Sequence, residues 1–187
     1  MMRVIAGIFR SRQLKGKPPA GIRPTSDKLR ETLFNVLGPR VQSATFLDGY
    51  AGIGGVGIEA ISRGARFVYF VDQSRKAAAI IRQNLHSLEV TEGFRMIEAD
   101  LSKTLDLFER EGTAFDIVFL DPPYERNELY AESLSAFGLR PLLNEGGVLV
   151  MEHSKRVELP ETEGMLMRYR ILTQGDSTLS FYRSGRT

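Results

Sequence analysis

Along most of the chain, short apolar runs alternate with stretches in which apolar residues recur every three or four positions. The runs at residues 45–48, 67–72, 94–98, 115–121 and 148–152 have the length of buried strands, and each leads into a turn. Between the second and third, Ser74 can cap a helix on which Ala77, Ile80, Ile81, Leu85 and Leu88 share one side. A helix also follows the first run, through Ile58 and Ile61 to Gly64, and Ser102 can cap another that carries Leu105 and Phe108 and stops at Gly112. Strands joined by helices need crossover connections, so a mostly parallel α/β sheet with helices on both faces is expected. After residue 152 the rhythm changes. Residues 165–172 and 178–183 read as two strands joined by a turn-rich segment, which adds an antiparallel C-terminal hairpin to the sheet.

The first 40 residues read differently from the rest. Val4, Ile5, Ile8 and Phe9, with Gly7 available for a turn, predict a small hairpin over residues 2–15. The two prolines and two glycines of residues 15–21 predict a loop. Thr25 or Ser26 can then cap a helix carrying Leu29, Leu33, Phe34, Val36 and Leu37, which Gly38 and Pro39 end. The expected division is an N-terminal extension, residues 1–40, and a main domain, residues 41–187.

Charge reinforces that division. Residues 1–40 carry Arg3, Arg10, Arg12, Lys15, Lys17, Arg23, Lys28, Arg30 and Arg40 against Asp27 and Glu31, a net +7. The whole chain is only +2, so the remainder is −5. A basic arm on an acidic body predicts a polyanionic partner, with the first eight of those cations as its candidate contacts. The 187 residues include no cysteine and only two histidines, which excludes disulfides and thiolate chemistry and argues against a metal site. Neither a run of about 18 apolar residues nor a secretory leader is present, so a cytoplasmic protein without membrane attachment is expected. A monomer is expected as well.

Two turns carry the candidate chemistry. The first, residues 48–57, is rich in glycine and follows the first strand, and Gly52, Gly54 and Gly57 satisfy the dinucleotide fingerprint G-x-G-x-x-G. Its first glycine, however, lies four residues beyond Asp48, and an acid there repels a pyrophosphate while attracting an ammonium or sulfonium group. S-adenosylmethionine carries both cations and no phosphate. Asp72, ending the second strand, can accept from ribose hydroxyls, and Asp100, after the third, can meet an adenine amino group. Tyr50 and Ala51 of the turn, Gln73 beside Asp72, and Ala99 and Leu101 beside Asp100 complete the candidate cofactor set.

The second turn is Asp121-Pro122-Pro123-Tyr124, at the end of the fourth strand, where open α/β sheets bind ligands. Its prolines have no N–H, so the turn offers acceptors beside the flat ring of Tyr124. That combination suits a planar ligand bearing an NH2 group, such as a nucleobase. Asp121, Pro122, Pro123 and Tyr124 are the candidate catalytic residues.

With these turns and acids in this order, the chain resembles Rossmann-like S-adenosylmethionine-dependent methyltransferases that act on exocyclic amines. More narrowly, residues 22–35 (IRPTSDKLRETLFN) and 57–65 (GIEAISRGA) resemble the RsmD family. Membership would imply methylation of the N2 amine of one guanine in 16S ribosomal RNA, on the small ribosomal subunit or an assembly intermediate of it. The chain departs from the family pattern at Gly49, where a large apolar residue is usual, and at Ile53, where Ser or Thr is usual. Read from residues alone, other classes stay open: an adenine-N6 or cytosine-N4 methyltransferase, a nicotinamide oxidoreductase, or a non-catalytic RNA-binding module.

Overall fold

The structure, a computed structural model, describes residues 2–16 and 26–185. The chain divides into two compact units, Met1–Leu101 and Ser102–Thr187.

In the first unit, β1 (Thr45–Gly49), β2 (Phe67–Val71) and β3 (Phe94–Ile97) form parallel pairs in the order β3-β2-β1. Every residue of β1 is buried, which explains why its sequence shows no polar alternation. Helix α1 (Asp27–Leu37) starts at Ser26, whose Oγ accepts from the Leu29 N–H at 3.1 Å, and it buries Leu29, Leu33, Phe34 and Leu37. Helix α2 (Gly55–Ser62) follows the glycine turn, and a Cβ at Gly57 would overlap the Phe70 ring, so glycine lets this helix lie close to β2. Helix α3 (Arg75–Ser87) is capped by Ser74, as its spacing predicts, and buries Ala77, Ala78, Ile81 and Leu85. A cap of this kind stabilises a helix by about 1 kcal/mol.

The N-terminal residues are built into this unit. Residues 2–14 fold back as a hairpin with a bridge between Arg3 and Gln13 and a left-handed Gly7 at φ 83°. Helices α2 and α3 hold it through polar side chains. Glu59 accepts from the Ile5 and Ala6 N–H groups at 2.7 and 3.0 Å, and Ser62 Oγ donates to the Ala6 carbonyl at 2.6 Å. Asn84 brackets Lys15, accepting from its N–H at 2.7 Å and donating to its carbonyl at 3.0 Å. Each bond satisfies a backbone group that a short hairpin leaves unpaired. The expected loop at 15–21 and the Thr25 cap fall mostly or wholly outside the described residues.

Helix α4 (Leu101–Glu111), all but its first residue in the second unit, begins one residue before Ser102, so that serine lies inside the first turn instead of capping it. Then come β4 (Phe115–Leu120), α5 (Glu128–Leu139), β5 (Leu143–Ser154), β6 (Thr162–Glu163), β7 (Leu166–Gln174) and β8 (Ser177–Ser184), with strand order β4-β5-β8-β7-β6. β4 pairs with β5 in parallel, and the remaining pairs are antiparallel. The C-terminal hairpin is thus present, with the small β6 added at its edge. β5 starts five residues before the expected 148 because Gly146, at φ 72°, lets the chain take a bulge that still pairs Leu143 with Phe115. Helix α5 has no counterpart among the predicted elements, although Leu129, Tyr130, Ser133, Leu134 and Phe137 bury one face at helical spacing. No described helix is long and apolar enough to cross a membrane.

Candidate active site

The glycine turn of the first unit is organised by two carboxylates. Asp48, on β1 and 2% exposed, accepts from the Gly57 N–H at 2.8 Å and so fixes the start of α2. Asp72, just after β2, accepts from Gly52 N–H on one oxygen and Ser74 N–H on the other, each at 2.8 Å. Between them the backbone turns sharply: Tyr50 has φ 68° and Gly52 φ 56°. A Cβ at Gly52 would meet nothing within 4 Å, so open space adjoins the backbone that Asp72 holds. Ala51 is buried and Gln73 exposed. Ala99 and Asp100 lie between β3 and α4, partly exposed, with Leu101 buried as the first residue of the helix. Ile53, the departure from the family pattern, is 5% exposed, and its carbonyl accepts from Asn84.

Burial chiefly, and the neighbouring charge of Asp72 in addition, push the Asp48 carboxyl up to about 7 against the opposing bond from Gly57. Burial thus favours the neutral form of Asp48, which weakens the fixed negative charge expected of it. Burial also raises Asp72. The sign of the linkage is definite. An unfolded Asp48 loses its proton near its ordinary 3.8, while the native one keeps it to about 7. Across that window the native state holds more protons, so this group makes stability fall as pH rises. Asp48→Asn, which can still accept from Gly57, should gain on the wild type by roughly a few kcal/mol between pH 4 and pH 7 and show a constant gap above that. Urea unfolding at pH 5 and pH 8 checks this; an equal gap at both would show that Asp48 ionises normally.

In the second unit, β4 is buried at both ends, with Phe115 and Leu120 inaccessible, and delivers Asp121 to its carboxyl end. Pro122 is buried and Pro123 partly so, and the Pro123 carbonyl accepts from the Arg126 N–H at 2.9 Å. The ring of Tyr124 is 37% exposed, while its hydroxyl donates to Glu152 at 3.1 Å and lies 2.8 Å from Ser177 Oγ. Burial first, then the negative charge of Glu152, push the Tyr124 hydroxyl well above its ordinary range, so it stays a neutral donor. Glu152 is 2% exposed on β5 and Ser177 opens β8, so the two strands hold the ring from its far end.

Glu152, Ser177 and Tyr130 were absent from the candidate residues. Tyr130, on α5, is 1% exposed, and its hydroxyl is pushed up by burial first and then by Asp121 and Glu152, against the lowering influence of the Ser154 backbone. An acid ending an apolar strand was a visible signal for Glu152; nothing local marks Ser177. His153 is buried, its ring nitrogens 2.9 Å from the Ser154 carbonyl and Ser180 Oγ, and His86 is exposed on α3. Among the described residues no three metal-ligating side chains come together.

Of the candidate RNA contacts, Arg3, Arg10, Arg12, Lys15 and Lys28 are exposed on the hairpin and α1, with Arg3 3.3 Å from Asp27 and Arg12 donating to the Ser87 carbonyl. Lys17 and Arg23 lie outside the described residues. Arg30 is a correction: it is fully buried, donates to the Arg3 carbonyl and to Asp27, and lies 3.9 Å from Glu59. Position 30 falls on the inner side of α1 with Leu29 and Leu33, so this guanidinium is a core cation that cannot reach a phosphate.

Residues 2–183 match the family described as Conserved hypothetical protein 95. YlbH of Bacillus subtilis (strain 168) is 40% identical over 97% of this chain and 98% of its own. Ribosomal RNA small subunit methyltransferase D of Escherichia coli (strain K12) is 34% identical over 88% of this chain and 77% of its own. Among solved structures, yhhF from Escherichia coli matches with a TM-score of 0.84 and 31% identity, over 98% of this chain and 97% of that one. SMU.776, solved in complex with SAH, matches with a TM-score of 0.67 over 87% of this chain and 50% of that one; at 15% identity the likeness is one of fold. The strand and helix order, the two turns and these matches agree: the chain belongs to the RsmD family of rRNA methyltransferases.

Proposed function

We propose that this protein transfers a methyl group from S-adenosylmethionine to the exocyclic N2 amine of a guanine in 16S ribosomal RNA, within the small subunit or an assembly intermediate. The observation that carries the reading is the tethered ring of Tyr124 three residues beyond Asp121, after the end of β4, in a chain of this family. The name of the Escherichia coli relative, a small-subunit rRNA methyltransferase, supports the choice of RNA.

The turn between Asp48 and Gly57, together with Asp72 and Asp100, would hold the cofactor. The open space beside Gly52 and the absence of a pyrophosphate-neutralising cation from residues 48–57 fit a phosphate-free nucleoside. When bound, the cofactor supplies an electrophilic methyl carbon on a cationic sulfur. The remaining steps belong to this chain. A guanine amine is a weak nucleophile because its lone pair is delocalised into the ring. Asp121 and the Pro122 carbonyl accept its two hydrogens, which favours a tetrahedral nitrogen and aims the lone pair. Tyr124 stacks on the base, and its hydroxyl bonds keep the ring from turning with it. Asp121 then takes the proton that the methylated nitrogen sheds. A base in helical RNA must leave its stack to be reached, and the exposed cations of the hairpin grip phosphates around it.

The test is to incubate the protein with methyl-labelled S-adenosylmethionine and small subunits that lack the modification, with protein-free rRNA and DNA in parallel, and to map the labelled nucleotide. Label on the N2 of one 16S guanine is the expected result. Label on an adenine or cytosine would overturn the acceptor. Calorimetric binding of NAD without binding of S-adenosylmethionine would overturn the cofactor.

A further inference from the structure

Residues 102–163 contain six basic and thirteen acidic side chains, yet residues 164–185 contain Arg168, Arg170 and Arg183 with Asp176 as the only acid. Asp176 sits in the β7–β8 turn and is paired with Lys155 at 2.8 Å. Arg168 is occupied elsewhere: it donates to the Leu159 carbonyl at 2.7 Å, and its side chain is 14% exposed. Arg170 and Arg183 are exposed, and neither has an acidic partner among the described residues. Beside them two large apolar side chains face solvent on one strand, Met167 at 40% and Tyr169 at 42%, whereas Ile171, opposite Ser180, falls on the other face.

The register explains the grouping. Met167 and Arg183 are direct cross-strand partners, and the pairing shifts between Arg168 and Arg170, so Tyr169 occupies a bulge. The bulge brings Tyr169 under Arg183, whose guanidinium carbon lies 5.7 Å from the ring centroid, with Arg170 adjacent in sequence. An exposed aromatic ring with an arginine over it and a second arginine beside it offers both a stacking surface and phosphate contacts.

We propose that the β7–β8 hairpin, through Tyr169, Arg170 and Arg183, is a second RNA-binding surface that takes an unpaired stretch of ribosomal RNA. The proposal rests on the reading of this chain as an rRNA methyltransferase. Along β8, Arg183 is six residues from Ser177, the residue that anchors Tyr124, or roughly 20 Å at the rise of a strand. The surface is therefore separate from the base-holding turn, and it would position the RNA without touching the reacting amine.

The test measures binding of protein-free 16S rRNA by filter retention from 50 to 200 mM KCl, for the wild type, R170Q/R183Q and Y169L. The double variant should bind about tenfold more weakly near 100 mM KCl, and its slope of log affinity against log salt should shrink by roughly 1.4, the release expected from two single-strand phosphate contacts. Y169L should lose about tenfold with its slope unchanged, because stacking releases no counterions. Melting temperature and S-adenosylmethionine affinity should match the wild type, which separates a lost contact from a damaged fold. Equal affinity and equal slope in all three proteins would overturn the surface. So would weakening seen with assembled subunits and not with protein-free rRNA, since the partner would then be a protein. Wild type that transfers methyl groups to RNA while the variants bind equally well would sink the surface alone; weakened variants of a wild type that transfers none would sink the proposed function alone.

Discussion

Asp121→Ala is expected to lower methyl transfer by about 10³-fold while S-adenosylmethionine affinity stays within about twofold of the wild type. The magnitude follows from the two tasks proposed for one carboxylate, orienting the amine and taking its proton. Each is ordinarily worth about 10²- to 10³-fold, and the two are not additive when one group performs both. Folding should be spared. Asp121 is only partly buried, the apolar residues of β4 end at Leu120, and Pro122 holds the turn by its own ring. The residues proposed to hold the cofactor belong to the other compact unit, Met1–Leu101. Single-turnover methylation of small subunits alongside calorimetric titration with S-adenosylmethionine separates the two effects. Transfer at the wild-type rate would remove Asp121 from the chemistry, and parallel loss of cofactor binding would reassign it to holding the donor.

What the sequence revealed and what it hid follows from the range of the interactions. Strand after strand was legible because each is buried and apolar and ends in a turn; the ends differ from expectation by one or two residues except at β5, where a glycine bulge extends the pairing. Caps such as Ser26 and Ser74 were legible because the bond they make spans three residues. Helix α5 was hidden by its flanks: Asn127 makes no side-chain cap bond, and the proline turn and the polar residues 125–127 before it read as loop. The carboxylates at strand ends could be found, but their partners could not. Asp72 and Gly52 are 20 residues apart, and Tyr124 and Ser177 are 53 apart, so only the fold brings each pair together. Arg30 misled for the same reason. Charge counting treats every cation in a basic stretch alike, whereas the turn of α1 decides which one faces inward.

That inward arginine sets up the largest expected effect on stability. Glu59 is fully buried on α2 and carries four interactions: the Ile5 and Ala6 N–H groups, Arg63 Nε at 2.7 Å, and Arg30 at 3.9 Å. Arg30 is inaccessible too, its Nε and one terminal nitrogen make no hydrogen bond, and burial lowers its pKa against the raising influence of Glu59 and Asp27. Glu59→Ala would leave that guanidinium with the Arg3 carbonyl and, as its acidic partner among the described residues, only Asp27, which is 44% exposed and well solvated, and would strand two backbone donors of the hairpin. Removing one partner of a buried ion pair costs about 3–5 kcal/mol, and each unpaired buried donor adds to it. Against a total stability of roughly 5–15 kcal/mol, that is enough to bring the protein near its unfolding threshold at 37 °C. Urea denaturation followed by circular dichroism should show the midpoint falling sharply, and Glu59→Gln, which can still accept from the hairpin, should recover part of the loss. The partner variant distinguishes the causes. If the buried charge dominates, Glu59→Ala combined with Arg30→Met should be more stable than Glu59→Ala alone; if docking of the hairpin dominates, the second substitution should restore nothing, because the Ile5 and Ala6 N–H groups remain unpaired either way.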